Sequence, residues 1–225
     1  RKLWGIFYIP TGPYSTGRVL DVHRIHLLCG AFDGEQLLRL CSEIISEEMI
    51  PFKKREEFTK ATYLRYKDYA GVTEFKRLLN YFIAEEFRSS TLEEIAKCLN
   101  FKFPGVEFYA SQENIKGMED DGMIIGSHSV SHPVMSKLNL EQQIEEISNS
   151  FNFLESFCRL DHRTYCHPYG GTKSYNHETV MALEQCKVDY SFSIESRDLE
   201  NSDFSKIRQA LPRYDCNEYP HGSAS

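Results

Sequence analysis

Four short apolar runs, interleaved with helical patterns, constrain the fold of this chain more than anything else in it. They are "LWGIFYIP" (3–10), "DGMIIG" (121–126), "RTYC" (163–166) and "VDYSFSI" (188–194). Each is short, flanked by Gly, Pro or charged residues, and long enough for one strand. Between them lie stretches of three-four apolar rhythm. A helix is expected around Gln112–Glu119, and Asn139 can cap a longer one carrying Leu140, Ile144, Ile147, Phe151, Leu154 and Cys158. Another is expected over His177–Cys186. Strands alternating with helices predict an α/β chain with a largely parallel sheet.

The stretch from 30 to 105 does not share this alternation. After an Asp33-Gly34 turn, Leu37, Leu38, Cys41, Ile44, Ile45 and Met49 recur at helical spacing. In "VTEFKRLLNYFIAEEF", Phe75, Leu78, Leu79 and Phe82 fall on one helix face, and Thr91 to Glu94 has the pattern of a capping box before a further short helix. Residues 30–105 therefore read as a helical insertion within a single domain spanning 1–225. "VLDVHRIHLL" (19–28) suits helix or strand equally.

Composition removes some partners. The formal charge is −7 with no basic stripe, which disfavours nucleic acid. No run approaches the roughly 18 apolar residues of a membrane span, and the apolar start is broken by Pro10 and Gly12 before it resembles a secretory signal. Seven cysteines, an odd number without a CxxC pair, favour a reducing, cytoplasmic setting.

The chemistry concentrates in "GSHSVSHP" (126–133), just after a strand, where loops of parallel α/β folds carry function. His128 and His132 can each offer an imidazole nitrogen to a divalent ion such as zinc. Spacing alone does not decide the matter, because eight histidines in 225 residues produce an HxxxH pair by chance fairly often. Pro133 also biases His132 away from helix, so this is not the helical histidine pair of metalloproteases.

Wider context decides it. "IIGSHSVSHPVMSKLNLEQQIEEISNSFNFLE" resembles the second motif and following helix of polysaccharide deacetylases, the NodB-homology domain of carbohydrate esterase family 4. "YCHPYGG" is similar to that family's substrate-groove motif, and "ALPRYDCNEYPHG" to the tail of one of its branches. The resemblance implies an incomplete, distorted (β/α) barrel and a metal-dependent hydrolase that removes N-acetyl groups from amino sugars or polysaccharide. It makes His128 and His132 metal ligands, with zinc the expected ion. His167, Pro168, Tyr169 and Gly170 would line the substrate groove, and the Tyr169 backbone N–H would face the oxyanion. Many members have an arginine at the place of Cys166; Arg213 is the candidate to supply that guanidinium from another loop. His221 is the candidate general acid, and His167 is the other candidate for that role.

One departure is expected to matter. The family's first motif, T-F-D-D-G, supplies the general base and third ligand, and it normally precedes the "GIFYIP" strand. Its place would lie before Arg1, so the chain reads as an N-terminally truncated fragment, inactive alone. "AFDGE" (31–35) is no substitute, having one aspartate after the strand it should precede. A hydrolase of small cyclic ureides, similar to allantoinase, is the alternative substrate reading, and a catalytically inactive carbohydrate-binding module is the alternative of another class. A closed structural zinc site lacks a local four-ligand Cys/His set.

Overall fold

The computed structural model of the chain describes residues 3–51 and 71–219. Part of the expected helical insertion (52–70) and His221 lie outside the described residues. The rest divides into two compact units, one of residues 1–18 with 109–225 and one of Val19–Phe108.

The first unit opens with strand β1 (Ile6–Ile9) and a short helix α1 (Gly12–Thr16) with Pro13 in its first turn. The regular elements among the second unit's described residues are all helical. From Asp21 onward this stretch resolves as helix, the start of α2 (Asp21–Ala31), because Ile25 and Leu28 both reach a shared core. Helix α3 (Gly34–Ile44) is capped by Asp33, whose carboxylate accepts from the backbone N–H groups of Glu35 and Gln36. That satisfies otherwise orphaned donors and gives Asp33 a purely local task. Helix α4 (Val72–Arg77) runs into a π turn over Leu78–Phe82, and α5 (Glu85–Cys98) follows. Ile25, Leu28, Leu37, Cys41, Phe75, Leu79, Ile83, Leu92 and Ile95 form the core of this unit. The wider π turn alters the carbonyl pairing, and the buried Arg88 guanidinium answers by donating from Nε to the Leu79 carbonyl at 2.8 Å.

The capping-box expectation at Thr91 is not met. Thr91 sits buried in the middle of α5, its hydroxyl donating to the Phe87 carbonyl one turn back at 2.8 Å. The helix starts instead after Ala84, with Glu85 and Glu86 in the first turn, where negative charge complements the helix dipole. A threonine can bond backward inside a helix as well as forward at its start, so the pattern is ambiguous from sequence.

Back in the first unit, α6 (Gln112–Asp120) precedes β2 (Ile124–Ser127), then come α7 (Leu140–Glu155), β3 (Thr164–Cys166), α8 (His177–Gln185), β4 (Tyr190–Phe192) and α9 (Asp203–Lys206). All three strand pairings are parallel, and the sheet order is β1-β2-β3-β4. Strands laid side by side in chain order follow the winding of a barrel wall, not the reversal of a doubly wound sheet. Leu211 adds a parallel bridge to Phe192, so the chain continues past β4 in the same direction.

Tyr165 marks the helix-covered face of this sheet. It is fully buried with Met135, Ile147, Phe151, Ala182 and Leu183. Alternation along β3 then sends Thr164 and Cys166 to the opposite face. There Gly126 has no room for a side chain: a Cβ would lie 2.5 Å from the Tyr8 ring and 2.6 Å from Thr164 Oγ1. No helix among the described residues is long and apolar enough to cross a membrane.

Candidate active site

The carboxyl ends of the parallel strands bring together the loops that sequence singled out. His128 directly follows β2, and His167 to Gly170 directly follow β3. Arg213 lies two residues beyond the Leu211 bridge. The His128 and His132 rings meet edge to face with centroids 4.7 Å apart, and Tyr169 meets His132 in the same manner at 4.8 Å.

Hydrogen bonding fixes the chemistry of one imidazole. His128 Nδ1 lies 2.8 Å from the Cys166 carbonyl oxygen. A carbonyl can only accept, so Nδ1 carries the proton and the neutral ring's lone pair is on Nε2. A backbone carbonyl on the far nitrogen is the usual arrangement behind a metal-binding histidine. The donor set therefore suits a borderline-soft divalent ion such as zinc, through two imidazoles. Among the described residues no group of three or more His, Cys, Asp or Glu side chains gathers around an ion-sized position, so no third ligand joins the pair there.

The loop carrying the histidines is held in an unusual shape. Ser129 has φ 63° and His132 φ 59°, and Tyr169 in the facing loop has φ 61°. Left-handed backbone costs an L-residue with a side chain about 1–2 kcal/mol, so three such residues in two apposed loops need specific support. Ser129 Oγ accepts from the His132 backbone N–H at 3.0 Å, closing the turn. The Glu146 carboxylate on α7 accepts from Val130 N–H and Ser131 N–H, both at 2.9 Å, and from the Ser131 hydroxyl at 2.7 Å. On the other side, Thr11 N–H and Gly12 N–H donate to the carbonyls of Ser129 and Val130. A Cβ on Gly12 would lie 2.7 Å from the Val130 oxygen, so this approach requires glycine. Below the turn, the Ser127 and Ser150 hydroxyls are 2.8 Å apart in the interior. Sequence reading missed Gly12 and Glu146, because each acts on backbone and neither has a metal-binding or nucleophilic signature.

The remaining candidates occupy different surroundings. His167 follows the parity of Tyr165, not that of Cys166, and its side chain is only 1% exposed. Its ring stacks on Tyr175 at 4.2 Å, and Nε2 donates to the Gln209 carbonyl at 2.9 Å, with the Ser191 hydroxyl also close. Nδ1 has no hydrogen-bond partner among the described residues. Burial lowers the His167 pKa to about 4, so the ring is neutral. Pro168 and Gly170 are buried, and Gly170, at φ 63°, lies against Ile194 with no space for a side chain. Arg213 directs a terminal nitrogen to Cys166 Sγ at 3.9 Å. Burial raises the Cys166 pKa, with the Arg213 guanidinium opposing, so the residue is a thiol near neutrality and no ready nucleophile. No disulfide joins the cysteines among the described residues.

The fold and this edge define a class: a parallel α/β protein with a two-histidine loop and a Pro-Tyr-Gly loop at the strand ends. Residues 83–191 match the family model of polysaccharide deacetylase. No curated protein matches. Among solved structures, a Streptococcus pyogenes deacetylase, PplD in complex with acetate, is similar over 94% of this chain and 88% of its own, at 13% identity and a TM-score of 0.43. A de-N-acetylase from Aggregatibacter actinomycetemcomitans aligns over 56% of this chain and 64% of its own, at 13% identity and a TM-score of 0.38.

Proposed function

We propose that this chain contributes the metal-binding and oxyanion-binding loops of a zinc-dependent hydrolase that removes N-acetyl groups from amino sugars, within one domain into which the helical unit is inserted. The contact between the His128–His132 pair and Tyr169, on two loops at the sheet's carboxyl edge, carries this reading. A bound divalent ion would supply an activated water and polarise the acetamide carbonyl. The chain's own residues do the rest. The Cys166 carbonyl fixes the His128 tautomer so that Nε2 would be the atom to hold the ion, and the left-handed turn sets His132 beside His128 as the second residue that would hold it. The Tyr169 backbone N–H donates to the developing oxyanion, with Pro168 and the constrained Gly170 setting its direction. Arg213, beside Cys166, orients a carboxylate base, its planar fork being suited to that task. His221 is the residue assigned to protonating the leaving amine.

The third ligand and the general base are assigned to carboxylates that the described residues do not bring to the pair. The protein is expected to release acetate from chito-oligosaccharides with zinc and to stop after chelation. Hydrolysis of allantoin instead would transfer the site to ureide chemistry. Retained oligosaccharide binding without hydrolysis of either would make the protein a binding module.

A further inference from the structure

We infer that Glu146 is a positioning residue whose carboxylate sets the turn that presents His128 and His132 to one another; its consequence for metal affinity rests on the function proposed above. Glu146 comes from α7, one turn before Ser150, so the two share the stripe that faces the histidine loop. Its two oxygens take three donors from two consecutive residues: the N–H groups of Val130 and Ser131 and the Ser131 hydroxyl. Successive N–H groups aimed at one point form the kind of concavity that binds an anion. Here the protein's own carboxylate fills it.

The position of these donors gives the contact its leverage. Val130 and Ser131 are two of the three residues between the histidines, and they are flanked by the two left-handed residues, Ser129 and His132. The carbonyls of Ser129 and Val130 are held from the opposite side by Thr11 and Gly12. The turn is thus clamped between α7 and the β1 loop, and of these two clamps the α7 one is made by a side chain, while the Ser127 and Ser129 hydroxyls support the turn from within it. Without Glu146, three donors lose their acceptor together while the left-handed residues remain. The turn then relaxes, and the edge-to-face pairing of the imidazoles is lost with it. Glu145, next along the helix and exposed, shares the charge and helix context without touching the loop, which makes it the natural control.

The test compares the wild-type chain with Glu146→Ala, Glu146→Gln and Glu145→Ala. Far-ultraviolet circular dichroism and urea unfolding establish that each is folded. In the metal-free proteins, amide exchange at Val130 and Ser131 is expected to speed up in Glu146→Ala. The Cα shifts of Ser129 and His132 are expected to lose their left-handed values, with Glu146→Gln intermediate and Glu145→Ala unchanged. Cobalt affinity, read from d–d absorption, is expected to fall about tenfold or more in Glu146→Ala, the usual scale for removing an outer-shell support. Unchanged exchange and shifts in a folded Glu146→Ala protein overturn the proposal, as does an equal effect from Glu145→Ala. If Glu146→Ala does not fold, the same comparison is decided on Glu146→Gln, which keeps the side-chain volume and one acceptor oxygen. If the wild type binds no cobalt or zinc, the metal reading fails while the exchange and shift data still decide the role of Glu146.

Discussion

Two histidines close to the site are one residue out of phase with each other's role. His128 leaves its strand on the side of Cys166, beside His132, whereas His167 leaves the next strand into the packed face, stacked on Tyr175 and without a partner for Nδ1 among the described residues. Sequence could see both as histidines after strands, but not this difference. It depends on strand parity, and parity becomes readable only once Tyr165 is known to be core. The supporting residues were less legible still. Glu146 in "QIEEIS" looks like any solvated helix acid, and its task appears only when Val130 and Ser131 arrive from another element. The buried state of His167 has a measurable consequence. Its pKa, lowered to about 4 by burial, lies below that of an unfolded histidine, so the unfolded chain binds the extra proton first. Stability is full above about pH 6.5 and is lost as pH falls toward 4, by about 2 kcal/mol at pH 5. His23, also lowered to about 4 by burial, adds to the wild-type slope. Urea unfolding of His167→Gln at pH 7 and pH 5 separates the two. The variant is expected to be weaker at pH 7 but to lose less on acidification, and an identical pH dependence would show that His167 does not carry the linkage.

At the scale of elements, the sequence was most reliable where one interaction dictates an end. The cap of α7 was read correctly because Asn139 has both halves of its box. Its carboxamide oxygen accepts from Gln142 N–H at 2.9 Å, and the Gln142 side chain accepts from Asn139 N–H at 3.0 Å. Thr91 offered a similar pattern and failed, since Phe87 lay one turn back to take its hydroxyl. The difference lies in what precedes the pattern: Asn139 follows an extended residue, whereas Thr91 is already inside a helix. The break near residue 83 was not legible at all, because the π turn and its Arg88 contact depend on tertiary packing. A paired substitution tests the reading of α7. Asn139→Ala removes the cap and is expected to cost about 1 kcal/mol. Asn149→Ala, on the exposed side of the same helix, replaces a poorer helix former and is expected to stabilise by a few tenths of a kcal/mol, about the difference in propensity. Urea midpoints should therefore move in opposite directions, and a shift of the same sign in both would remove capping as the explanation.

For the molecule as a whole, the parallel architecture was legible because four apolar runs separated by helical patterns leave few other arrangements, and the observed chain-order sheet is one of them. What could not be read was the assembly of the edge, where Thr11 and Gly12, Glu146 and the Cys166 carbonyl converge from three places in the chain on one loop. That convergence predicts how an ion would act on stability. The loop bridges the β1 segment, β2 and α7, all within one compact unit, so a ligand on both imidazoles must favour the folded form of that unit over the unfolded chain. Zinc at a hundredfold excess over its dissociation constant is expected to add about 2.7 kcal/mol to unfolding. His128→Ala and His132→Ala should each abolish most of that increment while leaving the metal-free midpoint close to wild type, since both side chains are only partly buried. Imidazole ligands must be unprotonated, so the zinc increment should also shrink on acidification. A full increment surviving in the double variant, or one independent of pH, would place the ion elsewhere and leave the histidine pair as a polar element of the loop.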